Sequence, residues 1–245
     1  MYWSDLILDQ NHPKKPYRQR KDNEKHGIYR GQRKLLLAEL AFFIRYATVP
    51  CIVVYAGAGP GHHLLTLIGK ISWVKEWHLY DPVPLVSKLK GMGNVHVYQQ
   101  LFTKETAAQW ADKDVVFISD IRTANHRVMD TEENEKAVLD DMSLQRELYE
   151  IIQPRAALLK FRLPYSYEGV GETYSYLDGM LMKQPYAPLS SSECRLVVLD
   201  LKAKTKVYNI KDYEDAMFYH NDELRKNNYD QKMEEFIWKE YDKIR

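Results

Sequence analysis

Apolar and polar positions alternate along the chain in a pattern that predicts buried strands separated by helices. Leu36, Leu37, Leu40 and Phe43 recur at helical spacing and predict a buried helix over residues 31–46. Apolar, β-branched runs predict parallel strands at Cys51–Ala56, Glu76–Tyr80, Val95–Tyr98, Val115–Ser119 and Ala156–Arg162. Between these strands, helices are predicted up to Ile71, at Val83–Lys90 and at Asn134–Gln153.

The last third of the chain is less regular. Residues 163–192 are predicted to be a long irregular stretch, of the kind that is usually functional inside a domain. Two strands joined by a tight turn and two closing helices are predicted at Cys194–Leu201, Thr205–Ile210, Tyr213–Tyr219 and Gln231–Ile244. This order indicates an α/β fold with a doubly wound, mostly parallel sheet and an antiparallel edge strand. We predict one domain over residues 31–245, after a basic N-terminal arm over residues 1–30.

Composition is ordinary for a soluble globular enzyme, with 45% hydrophobic and 28% charged residues among 245. The net charge of +1 excludes a global basic field for nucleic acid. The N-terminal arm is more basic than the whole chain, because Lys14, Lys15, Arg18 and Arg20 cluster within it. The arm is interpreted either as a contact for RNA phosphates or as a solvated tail. No signal peptide and no apolar run of ~18 residues is found.

The two cysteines, Cys51 and Cys194, lie far apart without metal-type spacing. This argues against a disulfide framework and a zinc site, and it fits a reducing compartment.

The segment YAGAGPGHH, residues 55–63, follows the first predicted strand. Its glycines, Gly57, Gly59 and Gly61, would allow a nucleotide to approach the backbone amides. Asp81 ends the second strand, where a carboxylate can accept hydrogen bonds from a ribose diol. NAD and S-adenosylmethionine sites share this pair of features. A plain tight turn and a helix N-cap remain the alternatives.

Charged residues at the other strand ends help to distinguish an S-adenosylmethionine site from an NAD site. Asp120 follows the fourth strand in FISDIR, and Lys160 interrupts the apolar fifth strand in ALLKFR. Burial would lower the pKa of Lys160 and make it a candidate general base. Lys34 and Glu193 would complete a cleft of alternating charge. The alternatives are a turn aspartate, a lysine reaching solvent from a strand end, and solvated surface charges.

Seven segments together resemble one family, the poxvirus cap-specific mRNA nucleoside 2′-O-methyltransferases that double as the small, regulatory subunit of poly(A) polymerase. They are GQRKLLLAELAFF, VVYAGAGPGHH, WHLYDP, FISDIR, LLKFRLPY, QPYAPLSSSECRL and DYEDAMFYHN. The resemblance implies a class I methyltransferase fold, S-adenosylmethionine as cofactor, and capped mRNA and a poly(A) polymerase catalytic subunit as partners. It also implies the cytoplasm, at the replication site or in the virion of a large DNA virus.

The resemblance further implies site residues. The K-D-K-E tetrad of RNA 2′-O-methyltransferases falls on Lys34, Asp120, Lys160 and Glu193. The cofactor contacts fall on Gln32, Tyr55, Gly57, Gly59, Gly61, Asp81, Phe102 and Asp120. The cap and RNA contacts fall on Arg162, Tyr165, Tyr167, Glu214 and Tyr17. No metal is implied. The sequence departs from the family at Val83, where the family has arginine, at Tyr167, where it has an acidic residue, and at Ser190, where it has a stacking aromatic.

The resulting hypothesis is methyl transfer to the ribose 2′-hydroxyl of the first transcribed nucleotide of capped RNA, with Lys160 as the base. Three alternatives stay open at this point. They are 2′-O-methylation of uncapped or ribosomal RNA, a non-catalytic RNA-binding processivity subunit, and an NAD oxidoreductase.

Overall fold

A computed structural model describes residues 1–18, 28–125, 128–165, 171–199 and 204–245, with the backbone alone described at 28 and 29. The helices are α1 (Ile28–Tyr46), α2 (His62–Lys70), α3 (Lys104–Ala108), α4 (Thr131–Ile152), α5 (Ile210–Asp222) and α6 (Tyr229–Ile244). The strands are β1 (Cys51–Ala56), β2 (Val74–Tyr80), β3 (Val95–Tyr98), β4 (Val115–Ser119), β5 (Ala156–Phe161), β6 (Thr173–Leu177), β7 (Met180–Met182), β8 (Cys194–Val198) and β9 (Thr205–Asn209).

The main sheet has seven strands in the order β3-β2-β1-β4-β5-β8-β7. Strands β1 to β5 are parallel, whereas β8 is antiparallel to β5 and β7 is antiparallel to β8. The predicted doubly wound, mostly parallel sheet with an antiparallel edge is therefore confirmed. Strand order reverses between β1 and β4, so their carboxyl ends border the crevice where such folds bind ligands.

Apolar side chains fill the space on both faces of the sheet. On one face, Phe43 of α1 packs against Trp77 of β2 with ring centroids 5.4 Å apart. On the other face, the core includes Phe117 of β4, Met142 of α4 and Phe161 of β5, all fully buried. Within the described residues, every helix is too short or too polar to span a membrane.

Three predictions about secondary structure are wrong. Residues 163–192 are not wholly irregular, because β6 and β7 lie within them. Strands β8 and β9 do not pair with each other: the wholly buried β8 enters the main sheet, whereas the mostly exposed β9 pairs with β6 in a second sheet. The helix predicted at Val83–Lys90 is only a 3₁₀ turn at Ser87–Gly91, because Pro84 disfavours a helical conformation at the residue before it.

The N-terminal segment extends the edge of the main sheet. Ile7 bridges to Met182 of β7, and Leu6 and Leu8 are buried beside it. Farther along, Lys14 pairs with Asp212 of α5 at 2.8 Å, and the Tyr17 amide donates to Asp215 at 2.8 Å. These contacts hold the described part of the segment against the rest of the fold. The division at residue 30 stays a prediction.

Candidate active site

The side chains of Lys34, Asp120, Lys160 and Glu193 meet at the carboxyl end of the central strands. Lys160 Nζ lies 3.0 Å from Asp120 Oδ1 and 3.4 Å from Glu193 Oε2. Lys34 Nζ lies 2.6 Å from Glu193 Oε1. The structure thus brings together all four residues of the predicted tetrad, as a chain of alternating charge with Lys160 held between two carboxylates.

The position of Lys160 depends on a helix side chain as well as on strand pairing. Strand β4 ends opposite Leu159, so the backbone of Lys160 has no partner on that strand. The buried Gln145 of α4 replaces it, because its amide donates to the Lys160 carbonyl at 3.0 Å and accepts from the Lys160 amide at 3.2 Å. This double hydrogen bond fixes the strand end that carries the amine.

Burial and neighbouring charges shift the pKa values of the cluster in opposite directions. Burial lowers the pKa of Lys160 against the opposing effect of Asp120 and Glu193, and Lys34 lowers it further. Burial alone would raise the pKa of Asp120, but the cations Arg195 and Lys160 more than compensate and lower it. The pKa of Glu193 is likewise lowered by Lys160 and Lys34 in spite of burial. Both carboxylates are therefore ionised beside an amine that releases its proton more readily than an ordinary lysine.

Arg195 is a member of this cluster that the sequence interpretation missed. It lies opposite Lys160 across the β5–β8 pair, and its Nη2 donates to Asp120 Oδ1 at 2.6 Å. Its Nε donates to Gln184, which in turn donates to Glu193 Oε1 at 3.2 Å. The available signal was a charged residue inside the apolar run CRLVV, the same signal that identified Lys160.

The glycine turn wraps around the Asp81 carboxylate. The Gly59 amide donates to Asp81 Oδ2 at 2.8 Å, and the Val83 amide donates to Oδ1 at 2.7 Å. A Cβ at Gly59 would lie 2.7 Å from the Asp81 carboxylate carbon. Gly57 and Gly61 have φ values of 81° and 78°, which residues with a side chain rarely adopt. Each glycine is therefore required by the backbone path or by the approach of Asp81.

Two further predicted cofactor residues, Gln32 and Tyr55, are joined through a buried network behind the turn. Gln32 Oε1 accepts from the His63 amide at 3.1 Å. His63 Nε2 lies 3.1 Å from Glu39 Oε2, and the Tyr55 hydroxyl donates to Glu39 Oε1 at 2.6 Å. The completely buried Glu39 was not predicted from the sequence. This network fixes the start of α2 relative to α1, so it supports the turn.

Phe102 lies outside this network, at the β2–β3 side of the sheet. Its ring is buried between Tyr80 and Phe117, with centroid distances of 4.9 and 5.7 Å. Leu101 beside it is 66% exposed. The Phe102 ring is therefore part of the hydrophobic core, and its contact with adenine stays a prediction.

Three of the predicted cap residues form a second cluster next to the tetrad. Tyr17 stacks on Tyr165 with centroids 5.8 Å apart, and the Arg162 guanidinium lies 4.8 Å from the Tyr165 centroid. Glu135 of α4 accepts from Arg162 Nη2 at 2.7 Å and from the Tyr165 amide at 3.0 Å. In the part of the chain that the structure describes, Arg162 Nη1 is buried without a hydrogen-bond partner.

The remaining predicted RNA contacts are placed differently. Glu214 is buried on α5, with Lys211 Nζ 3.8 Å from its carboxylate. Lys15 pairs with Asp222 and Glu223, as Lys14 does with Asp212, so both lysines already have carboxylate partners. The predicted residues Tyr167 and Arg20 lie outside the described residues.

The strand order, the glycine turn after β1 and the acidic residue after β2 define the fold of a class I S-adenosylmethionine-dependent methyltransferase. Bluetongue virus VP4, whose structure "reveals a multifunctional RNA-capping production-line", supports this fold. It aligns with a TM-score of 0.56 at 18% identity over 87% of this chain and 35% of its own. The chain belongs to the Poly A polymerase regulatory subunit family, whose model matches residues 1–243.

Two curated relatives are each named cap-specific mRNA (nucleoside-2′-O-)-methyltransferase. The fowlpox virus protein is 30% identical over 80% of this chain and 68% of its own length. The protein of myxoma virus (strain Lausanne) is 28% identical over 85% of this chain and 66% of its own length. The chain therefore spans about two thirds of the length of the curated relatives it matches. By family it is classed with the methyltransferases.

Proposed function

We propose that this protein transfers a methyl group from S-adenosylmethionine to the ribose 2′-hydroxyl of the first transcribed nucleotide of capped mRNA. One observation carries the chemistry: a buried lysine amine lies between two carboxylates, 3.0 Å from Asp120 and 3.4 Å from Glu193. The names of the relatives supply the substrate class. A Rossmann-type NAD site offers no role for this trio of residues.

The glycine turn fits the proposed cofactor. The close approach of Gly59 to Asp81 leaves no room for a side chain between the turn and the carboxylate. Asp81 would hold the ribose diol, and Gly57 and Gly61 would keep the backbone close to the ligand. When bound, S-adenosylmethionine supplies an electrophilic methyl group on a sulfonium.

Lys160 would act as the general base. In its neutral form it accepts the proton of the 2′-hydroxyl, and the carboxylates of Asp120 and Glu193 stabilise the ammonium ion that results. Arg195 of strand β8 donates a hydrogen bond to Asp120. The carboxylate therefore keeps its orientation when Lys160 gains a proton. Lys34 would orient the hydroxyl through its contact with Glu193. Positioning of the reactants should supply much of the acceleration.

The cap would be recognised by the second cluster. Methylated guanine is cationic and stacks well on aromatic faces, which Tyr17 and Tyr165 present. Because their rings now contact each other, a base can enter the stack only when they separate. Glu214 would pair with the edge of the methylated guanine.

The test is transfer of labelled methyl to short RNAs with a methylated cap, comparing the wild type with Lys160→Met and with the exposed control Lys75→Met. Loss of general-base catalysis should lower the rate of Lys160→Met by about 10²–10⁴-fold while cofactor binding is retained. Near-normal activity of Lys160→Met would overturn the mechanism. Equal rates on capped and uncapped RNA would support the alternative of a cap-independent RNA methyltransferase.

The family description favours a second role, as the regulatory partner of a poly(A) polymerase. This role needs RNA binding and a protein contact but not Lys160. Extension of poly(A) tails by a polymerase catalytic subunit should then respond equally to the wild type and to Lys160→Met. If no such polymerase co-purifies with the chain or responds to it, this role is excluded.

A further inference from the structure

A cluster of three metal-ligating side chains lies on strands β2 and β3, separate from the proposed active site. Glu76 and His78 are two residues apart on β2, so they point to the same face of the sheet. The parallel register places His96 of β3 directly beside His78. The carboxylate and imidazole ligand atoms of the three residues all lie within 4.8 Å of one another.

The distances within this Glu76–His78–His96 cluster are close to those of a tetrahedral metal site. Zinc binds imidazole nitrogen and carboxylate oxygen at about 2.0–2.2 Å, so two of its ligand atoms lie roughly 3.4 Å apart. Glu76 Oε2 is 2.9 Å from His78 Nε2 and 3.8 Å from His96 Nε2, which brackets this separation. His96 is the residue that must turn, because the two imidazole rings now stack 4.6 Å apart.

The surroundings of His78 resemble those of a metal ligand. Its other ring nitrogen, Nδ1, lies 3.1 Å from the Tyr98 hydroxyl, and Trp110 packs edge-on at 4.5 Å. A hydrogen bond at this second nitrogen fixes the ring orientation, as the outer partners of metal-ligating histidines do. His78 is buried, whereas Glu76 and His96 remain about half exposed, so an ion can enter from solvent.

We propose that Glu76, His78 and His96 bind a divalent transition metal ion of the zinc type, with water as the fourth ligand. Two imidazoles and one carboxylate suit zinc, nickel or copper, whereas magnesium and calcium prefer oxygen ligands. Among the described strands, β3 lies at the edge of the sheet beside β2. A metal ion here joins the two strands through side chains, which stabilises the edge. The role is structural, and the three residues take no part in methyl transfer.

The test uses the full chain without a purification tag, stripped of metal, titrated with Zn²⁺ by calorimetry and with Co²⁺ by visible absorption. The expected result is saturable binding of one ion and a rise in Tm of about 5 °C or more when the free ion exceeds its Kd 100-fold. Tyr98→Phe, which removes an outer partner of His78, should weaken binding about 10–100-fold, and His96→Ala, which removes a ligand, should weaken it more.

The control is His62→Ala, which removes an exposed histidine outside the cluster and should bind Zn²⁺ like the wild type. Since His96 is 45% exposed, its replacement should leave the fold intact, and Tm without metal verifies this. Absence of saturable binding up to about 100 μM would overturn the proposal, as would equal Zn²⁺ binding by His96→Ala and the wild type.

Discussion

Arg195 and Asp120 form an ion pair of 2.6 Å in which the guanidinium has no exposed surface. Lys160 reaches the same carboxylate oxygen from the neighbouring strand, at 3.0 Å. Asp120 is therefore shared by two cations, of which only lysine can release a proton near neutral pH. This sharing explains how one carboxylate can stay ionised and orient a base without fixing that base in its protonated form.

Lys34→Met should move the acidic limb of the pH–rate profile to higher pH. Burial is the main cause of the lowered pKa of Lys160, and the like charge of Lys34 adds to it. Without that charge the pKa of Lys160 rises, so less of the amine is unprotonated at neutral pH and activity falls there. The kcat profile of Lys34→Met is compared with that of Lys75→Met. A limb that does not move would contradict the electrostatic role of Lys34.

Arg195→Met should destabilise the protein strongly. Removing one partner of a buried ion pair costs about 3–5 kcal/mol when the remaining charge is left uncompensated, and the cost here should lie at the lower end because Lys160 still pairs with Asp120. The free energy of unfolding, measured in urea, is compared with that of Arg146→Met, which breaks the largely solvated pair with Glu150 and should cost under about 1 kcal/mol. Adding Asp120→Asn to Arg195→Met should restore part of the loss. If the two arginine variants lose the same free energy of unfolding, the buried Arg195–Asp120 pair does not contribute the expected stability.

Gly59→Ala should weaken binding of S-adenosylmethionine. The added Cβ would lie 2.7 Å from the Asp81 carboxylate carbon and displace that side chain. A hydrogen bond to a charged group contributes about 1.5–3 kcal/mol, so the Kd should rise roughly 10- to 150-fold. The control is Gly69→Ala in α2, where an added Cβ would lie more than 4 Å from the atoms of the described residues outside its own helical turn. Calorimetric Kd values that are equal for the two variants would exclude Asp81 as a cofactor contact.

Tyr17→Ala should reduce the preference for capped over uncapped RNA. Stacking of a base on an aromatic side chain is worth about 1–3 kcal/mol, so the ratio of kcat/KM values should fall roughly 5- to 150-fold. Tyr2→Ala provides the control, because Tyr2 lies in the same N-terminal segment but is 74% exposed. If both variants keep the wild-type ratio, the base is held by other residues.

Strands β1, β3 and β4 begin and end at the predicted residues, and the mostly parallel sheet follows the prediction. Local information was sufficient there, because buried parallel strands are continuous apolar runs bounded by turn residues. Lys160 was recognisable for the same reason, as a charge that interrupts such a run. By contrast, the pairing of β9 with β6 rather than β8 depends on contacts between distant segments.

The α/β order, the glycine turn and the four residues of alternating charge could all be predicted from the amino-acid sequence. Three relationships became visible only in the folded chain: Arg195 shares Asp120 with Lys160, Gln145 caps the end of β5, and Glu39 supports the turn from behind. It also joined Glu76 and His78 to His96. Residues far apart in sequence meet only through strand register and helix packing, and no local pattern encodes either.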